Sequence, residues 1–304
     1  GQNFLSDKAI INDITSSINP NEDDLIIEIG PGSGALTKNL VKYNSNLICY
    51  EVDTDLENTL NQIKNDNIIE IIGEDVNHIS NVLRLKNEDH IFICNKDTNI
   101  TYDTKILEKL KEKVICQILD EIEETTEAKV DVTIFQGLPK AEKMEYIIQK
   151  ATELGVKKIV PVAMKRCIVK LEGKDAIKKI DRWQKIAEVA AKQSGRDLIP
   201  KISEISKIDN IISEINNYDL FIVAYENEKD ITLKKVLQEL HKNKVDCEGL
   251  KIAIVIGPEG GLDDTEIEKF ISNGAKVITL GNRILRTETA SLAILSNIVY
   301  EYDL

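Results

Sequence analysis

The sequence is short of the residues that hold small disulfide or metal folds together. Its five cysteines, Cys49, Cys94, Cys116, Cys167 and Cys247, are odd in number, widely spaced and without a CxxC pair. That excludes a disulfide framework and a structural zinc of the usual spacing, and it fits a reducing cytoplasm. Three scattered histidines offer no metal-ligand spacing, so no metal is expected. No apolar run reaches the length of a membrane span, and no signal-type segment precedes the first helical pattern, so neither a membrane nor export is expected. Basic residues are also in deficit: 39 Lys and Arg stand against 52 Asp and Glu, a net charge of −13. This balance gives no general attraction to nucleic acid. It does not exclude RNA, because phosphate contacts need only a local basic face.

What is present divides into three segments. The 304 residues are long enough for two or three domains, and a 42 % hydrophobic, 30 % charged composition is that of a globular chain. Residues 1–66 alternate helix and strand: a helical pattern over Ala9 to Ile18, a strand over Leu25 to Ile29, a helix from about Ala35 and a strand over Leu47 to Val52. Residues 67–130 carry short strands at Ile68 to Ile72, His90 to Cys94, Thr101 to Ile106 and Val114 to Ile118, with one short helix over Asp75 to Leu85. A small β-barrel is expected there, followed by a solvated acidic hinge, Asp120 to Glu127. Residues 131–304 return to α/β alternation, with a helix from Pro139 to Gly155, a strand over Ile159 to Val162 and a long amphipathic helix around Trp183 that ends near Gly195. Strands Leu220 to Ala224, Lys251 to Ile256 and Lys276 to Leu280 then alternate with helices, which predicts a mainly parallel sheet covered on both faces.

Two sets of motifs stand in this frame. The first is Leu25-Ile26-Ile27-Glu28-Ile29-Gly30-Pro31-Gly32-Ser33-Gly34, a glycine turn between strand and helix, with Glu51 or Asp53 at the next strand end placed for a ribose hydroxyl. With Gly1-Gln2-Asn3-Phe4-Leu5 upstream and Tyr50-Glu51-Val52-Asp53 downstream, it resembles the start of the ribosomal RNA adenine-N6 dimethyltransferases. The resemblance covers about 70 residues, and that family's Asn-Leu-Pro-Tyr type motif is absent from the chain. This implies a truncated, Rossmann-like methyltransferase fragment.

The second set is longer. It comprises Gly73 to Ile79, Val82-Leu83-Arg84-Leu85, Gly137-Leu138-Pro139-Lys140, Lys143-Met144-Glu145, Lys150 to Gly155, Arg182-Trp183 and Gln193-Ser194-Gly195-Arg196. Near the end, two polar loops follow successive strands: Ile256-Gly257-Pro258-Glu259-Gly260-Gly261, and Gly281 through Arg286-Thr287-Glu288 to Ala290. Strand ends of an open α/β sheet form the ligand crevice. In order, these motifs resemble the 16S ribosomal RNA uracil-N3-methyltransferase family of the knotted (SPOUT) superfamily.

That resemblance implies a C-terminal trefoil-knotted α/β domain preceded by a small PUA-like barrel, S-adenosylmethionine as cofactor, 16S RNA in the small ribosomal subunit as partner, and a homodimer. It implies a cofactor site of Tyr225, Glu226, Gly257, Pro258, Glu259, Gly260, Gly261, Leu280, Gly281, Ile284 and Leu285. For the chemistry, Arg286 is the candidate for charge stabilisation, and Glu288 either accepts the N3 proton or fixes Arg286. His78, Arg84, Lys140, Arg166 and Arg196 are the candidate RNA contacts. Three readings stay open at this level: an active uridine enzyme with an N-terminal appendage, a disabled fusion that binds cofactor or RNA only, and adenine dimethylation through the N-terminal segment.

Overall fold

The computed structural model describes residues 7–20, 24–43, 46–95, 100–122, 125–243 and 249–302; the Gly1 to Leu5 motif and Cys247 lie outside them. The chain divides into two compact units between Thr125 and Thr126.

In the first unit, α1 (Lys8–Ile18) begins where the Asp7 carboxylate accepts from the Ala9 and Ile10 amides, and stops at Asn19 in a left-handed conformation. Then come β1 (Leu25–Ile29), α2 (Thr37–Leu40), β2 (Asn46–Tyr50) and α3 (Glu57–Asp66). The two strands pair in parallel with Ile27 opposite Ile48. Gly34, at φ +81°, takes a left-handed conformation that other residues rarely adopt, and it packs against Ile63 of α3. Sequence periodicity did not predict α3, where Leu60 and Ile63 alone mark an apolar side.

A two-stranded sheet leaves one face uncovered. Leu25, Ile27, Ile29, Ile48 and Tyr50 share that face and are exposed, Ile29 to 82 %. Such an apolar strip binds hydrophobic dye. Exchanging Ile27 and Ile48 together for threonine, which keeps the strand preference, is expected to lower the ANS fluorescence of the folded protein. An unchanged signal would place the dye elsewhere.

The rest of the first unit is antiparallel. Its elements are β3 (Ile68–Ile72), α4 (Glu74–Asn77), β4 (His90–Asn95), β5 (Ile100–Lys109) and β6 (Lys113–Ile122), with the strands ordered β3-β6-β5-β4. The single helix expected over Asp75 to Leu85 is instead α4 followed by a π-helical turn, His78–Val82. The Leu83 amide reaches back to His78 O at 2.9 Å, and Arg84 at φ +56° ends the helix. Val76 of α4 and Ile79 of the π-helical turn pack with Ile106, Val114 and Cys116.

The second unit runs β7 (Val130–Gly137), α5 (Lys143–Glu153), β8 (Lys158–Ala163), α6 (Gly173–Ser194), β9 (Lys201–Ile202), β10 (Ser206–Lys207), α7 (Ile208–Ser213), β11 (Leu220–Ala224), α8 (Leu233–Asn243), β12 (Leu250–Ile256), α9 (Asp264–Ser272), β13 (Lys276–Ile278) and α10 (Thr287–Tyr302). The sheet is parallel, in the order β10-β8-β7-β12-β11-β13, with β9 beside β8. Its strands are apolar on both faces because both are covered. Ile252, Ile254 and Ile256 of β12 pack with Met144, Trp183, Leu237 and Ile294 from α5, α6, α8 and α10. Ala253 and Val255 face the other way, toward Ile211 of α7 and Phe270 of α9. Helix α6 ends as expected at Gly195, which takes the left-handed cap. Pro139 does not open α5: Ala141 has φ +54°, the Lys140 amide donates to Glu259, and the helix starts at Lys143. Among the described residues, no helix is long and apolar enough to cross a membrane.

Candidate functional site

The C-terminal ends of β11, β12 and β13 each release a loop, and the three loops ring one cavity of about 870 Å³. Tyr225 and Glu226 follow β11, Gly257, Pro258, Glu259, Gly260 and Gly261 follow β12, and Leu280, Gly281, Ile284 and Leu285 follow β13. All eleven residues expected at a cofactor site therefore line the same space, and Arg286 and Lys143 join them. The loops touch. Gly261 has φ +70°, and a Cβ on it would run into the Glu226 carboxylate.

Hydrogen bonds from the sheet set the loop positions. Gln136, buried at the end of β7, donates from Nε2 to Thr287 Oγ1 at 2.8 Å, and the Thr287 hydroxyl donates to Gly257 O at 2.7 Å. The buried Gln136 Oε1 has no hydrogen-bond partner among the described residues. Removing the hydroxyl in Thr287→Val, with shape kept, takes one acceptor from the buried Gln136 amide, which keeps Gly137 O at 3.0 Å, and the side-chain donor from the half-buried Gly257 carbonyl. It is expected to lower stability by about 1–3 kcal/mol in denaturant unfolding, and Thr287→Ser is expected to retain most of it.

Around the β11 loop, Tyr225 donates to Asp264 Oδ1 at 2.5 Å, and that bond to a carboxylate raises the phenol's pKa. Glu228 is held below the ordinary carboxylate range by the Asp230 and Ile231 amides, which tighten the same loop. Helix α9 begins with a reciprocal box in which Asp263 and Glu266 satisfy each other's amides. Lys165, together with Thr265, pushes Asp263 down to about 2.

The charged groups beside the cavity are arranged around Lys143. Its ammonium lies 3.1 Å from Glu259 Oε1 and 3.3 Å from Glu288 Oε2. Burial works against the Glu259 charge, but the Lys140 amide at 3.0 Å, its own amide and Lys143 outweigh it and hold the carboxyl below its ordinary value. The hydrogen bond to Glu259, and then Glu288, raises the Lys143 pKa. Arg286 is exposed, immediately precedes α10, and forms no ion pair among the described residues. Glu288 sits in the first turn of α10, 17 % exposed.

The candidate RNA contacts separate into different environments. Lys140 and Arg166 are exposed beside the cavity loops, with Arg166 Nη1 donating to Gly260 O at 3.3 Å. His78 and Arg84 are exposed on and just after the π-helical turn of the first unit. Arg196 is instead 4 % exposed, paired with Glu127 and donating to Thr152 O at 3.1 Å and Val156 O at 2.7 Å. In the first unit's glycine turn, Glu51 accepts from the Gly32, Val52 and Asp53 amides, and Asp53 accepts from the Asp55 amide. Both carboxylates expected at a ribose are thus bonded to their own backbone.

The RNA methyltransferase domain family matches residues 126–299, more than half of the chain. The chain belongs to that family. Ribosomal RNA small subunit methyltransferase E of Bacillus subtilis is 37 % identical over 253 residues, 82 % of this chain and 96 % of that protein. A crystal structure of ribosomal RNA small subunit methyltransferase E from Neisseria gonorrhoeae bound to S-adenosyl methionine superposes with a TM-score of 0.65 at 29 % identity, over 76 % of this chain and 91 % of that one. The ribosomal RNA adenine dimethylase family matches residues 1–144. Ribosomal RNA small subunit methyltransferase A of Legionella pneumophila is 54 % identical over 63 residues, 21 % of this chain and 25 % of that protein. Two family patterns thus meet in one chain, the second as a fragment.

Lys143 and Thr287 stand inside sequence motifs, yet nothing in their residue type alone marks either for a place at the site. Gln136 has one signal in the sequence, a polar residue at the end of an apolar strand.

Proposed function

We propose that the second unit transfers a methyl group from S-adenosylmethionine to N3 of a uridine in 16S ribosomal RNA of the small subunit. The observation that carries this is the single cavity ringed by three strand-end loops, with Arg286 at its edge free of any ion pair among the described residues. A volume of about 870 Å³ is that of a small-molecule site, and the glycine-bearing loops present backbone groups that suit adenine and an amino-acid tail. The cofactor supplies an electrophilic methyl group. Tyr225, Glu226, Gly257 to Gly261, Leu280, Gly281, Ile284 and Leu285 hold it. Arg286 stabilises the negative charge that spreads to O2 and O4 as N3 loses its proton, and Glu288 accepts that proton; the two form no ion pair among the described residues, so Glu288 is not assigned to fixing Arg286.

His78, Arg84, Lys140 and Arg166 are assigned to RNA. Arg196 is reassigned as an internal clamp, because its donors are engaged inside the unit. The target base is unpaired, since N3 lies on the Watson–Crick edge. The functional segments are residues 1–66, a dimethyltransferase-like appendage; 67–130, the antiparallel sheet as a PUA-like RNA-binding barrel; and 131–304, the catalytic domain. The return of α10 over β7 and β12 after the edge strand β13 supports a knotted path, and a cytoplasmic homodimer completes the reading.

The test uses small ribosomal subunits lacking N3-methyluridine and labelled S-adenosylmethionine, with the digested nucleosides identified by mass. Labelled N3-methyluridine is the expected product. Dimethyladenosine would transfer the activity to the N-terminal segment, and measurable cofactor binding without product would mark a disabled fusion.

A further inference from the structure

Lys143 is the first residue of α5, and its ammonium stands between carboxylates from two other elements: Glu259 in the loop after β12 and Glu288 in the first turn of α10. The two carboxylates are not equally supported. Glu259 Oε1 has a second donor, the Lys140 amide at 3.0 Å. Glu288 Oε2 is buried, and the one donor group placed on it among the described residues is the Lys143 ammonium, at 3.3 Å as an ion pair. The cofactor loops have their own ties, Gln136 to Thr287 to Gly257 and Lys140 to Glu259, which do not pass through Lys143.

We propose that Lys143 is a positioning residue for methyl transfer. By neutralising Glu288 it leaves the Arg286 guanidinium directed at the cavity. The physical reason is competition. Without the ammonium, Glu288 and Glu259 face each other with no counter-charge, and an uncompensated carboxylate two residues from Arg286 draws the guanidinium away from the reacting base. The inference rests on the function proposed above. It predicts a loss in the chemical step with little change in cofactor affinity, because the loops that hold the cofactor keep their ties.

The experiment compares wild type, Lys143→Met, Lys143→Arg, Glu288→Gln and the double variant Lys143→Met/Glu288→Gln. It measures kcat for N3-methyluridine formation and, separately, S-adenosylmethionine Kd by equilibrium dialysis. For Lys143→Met, kcat is expected to fall about tenfold to a hundredfold. Its Kd is expected to stay within about threefold of wild type, as for an interaction that matters in the transition state alone. Lys143→Arg is expected to recover much of the rate, and the double variant to be no worse than the poorer single one, the mark of a coupled pair. Equal losses in Kd and kcat, additive losses in the double variant, or an active enzyme indifferent to Lys143→Met would overturn this inference alone. A wild-type chain that makes no N3-methyluridine would overturn the functional reading, and this one with it.

Discussion

Arg286→Ala is expected to lower kcat for N3-methyluridine formation on the order of 10²- to 10³-fold, the usual effect of deleting one donor aimed at developing negative charge. Uracil N3 carries its proton at neutral pH, so methylation there builds an anion spread over O2 and O4. Arg286 lines the cavity, is exposed, and has no carboxylate partner among the described residues, so its charge is not already neutralised inside the fold. Its removal leaves the loops after β11, β12 and β13 in place. The affinity for S-adenosylmethionine should therefore stay near wild type while product formation collapses, which equilibrium dialysis and nucleoside mass spectrometry read separately. Arg286→Lys keeps the charge but loses the planar fork, and should fall between the two. Parallel losses of cofactor binding and rate would assign Arg286 to the cofactor instead.

Arg196→Met should show its effect in stability. The guanidinium is 4 % exposed and its partner Glu127 is 20 % exposed. Besides that pair it holds Thr152 O in the last turn of α5 and Val156 O just beyond it, where a cation also complements the helix dipole. Breaking one side of a buried pair costs about 3–5 kcal/mol, because the other charge and its acceptors lose their partner. At roughly 2–4 °C per kcal/mol for a unit of this size, the second unit's Tm should drop by about 6–20 °C. Arg196→Lys should recover little, since an ammonium does not reach carboxylate and carbonyls together as the fork does. A shift under about 2 °C, with weaker RNA binding, would restore Arg196 to the RNA surface.

In the second unit, strand reading from the sequence came close. Leu220–Ala224 has the expected bounds, and β12 and β13 agree to within two residues. These are apolar, β-branched runs bracketed by glycine or polar turns, and a parallel sheet covered on both faces leaves no alternation to confuse them. The site was legible for the same reason: Gly257 to Gly261 and Gly281 to Arg286 stand just past those strand ends, where an α/β sheet opens. The first unit was harder. Helix α3 carries two apolar residues, and the Asp75 to Leu85 helix breaks into a four-residue helix and a π-helical turn that ends before Arg84.

Local pattern was enough for the parallel sheet, the strand-end loops and the junction of two family patterns, because each depends on neighbours a few residues apart. Packing settled the rest. Gln136 reaches Thr287 across 151 positions, and Lys143 meets Glu259 and Glu288 from a different helix. Arg196, polar in sequence and following a glycine stop, turns inward because Glu127 and the Thr152 and Val156 carbonyls await a donor there. No periodicity encodes such contacts. They arise when parallel strands bring distant loop ends to one edge of the sheet, and which charges remain free for chemistry is decided there.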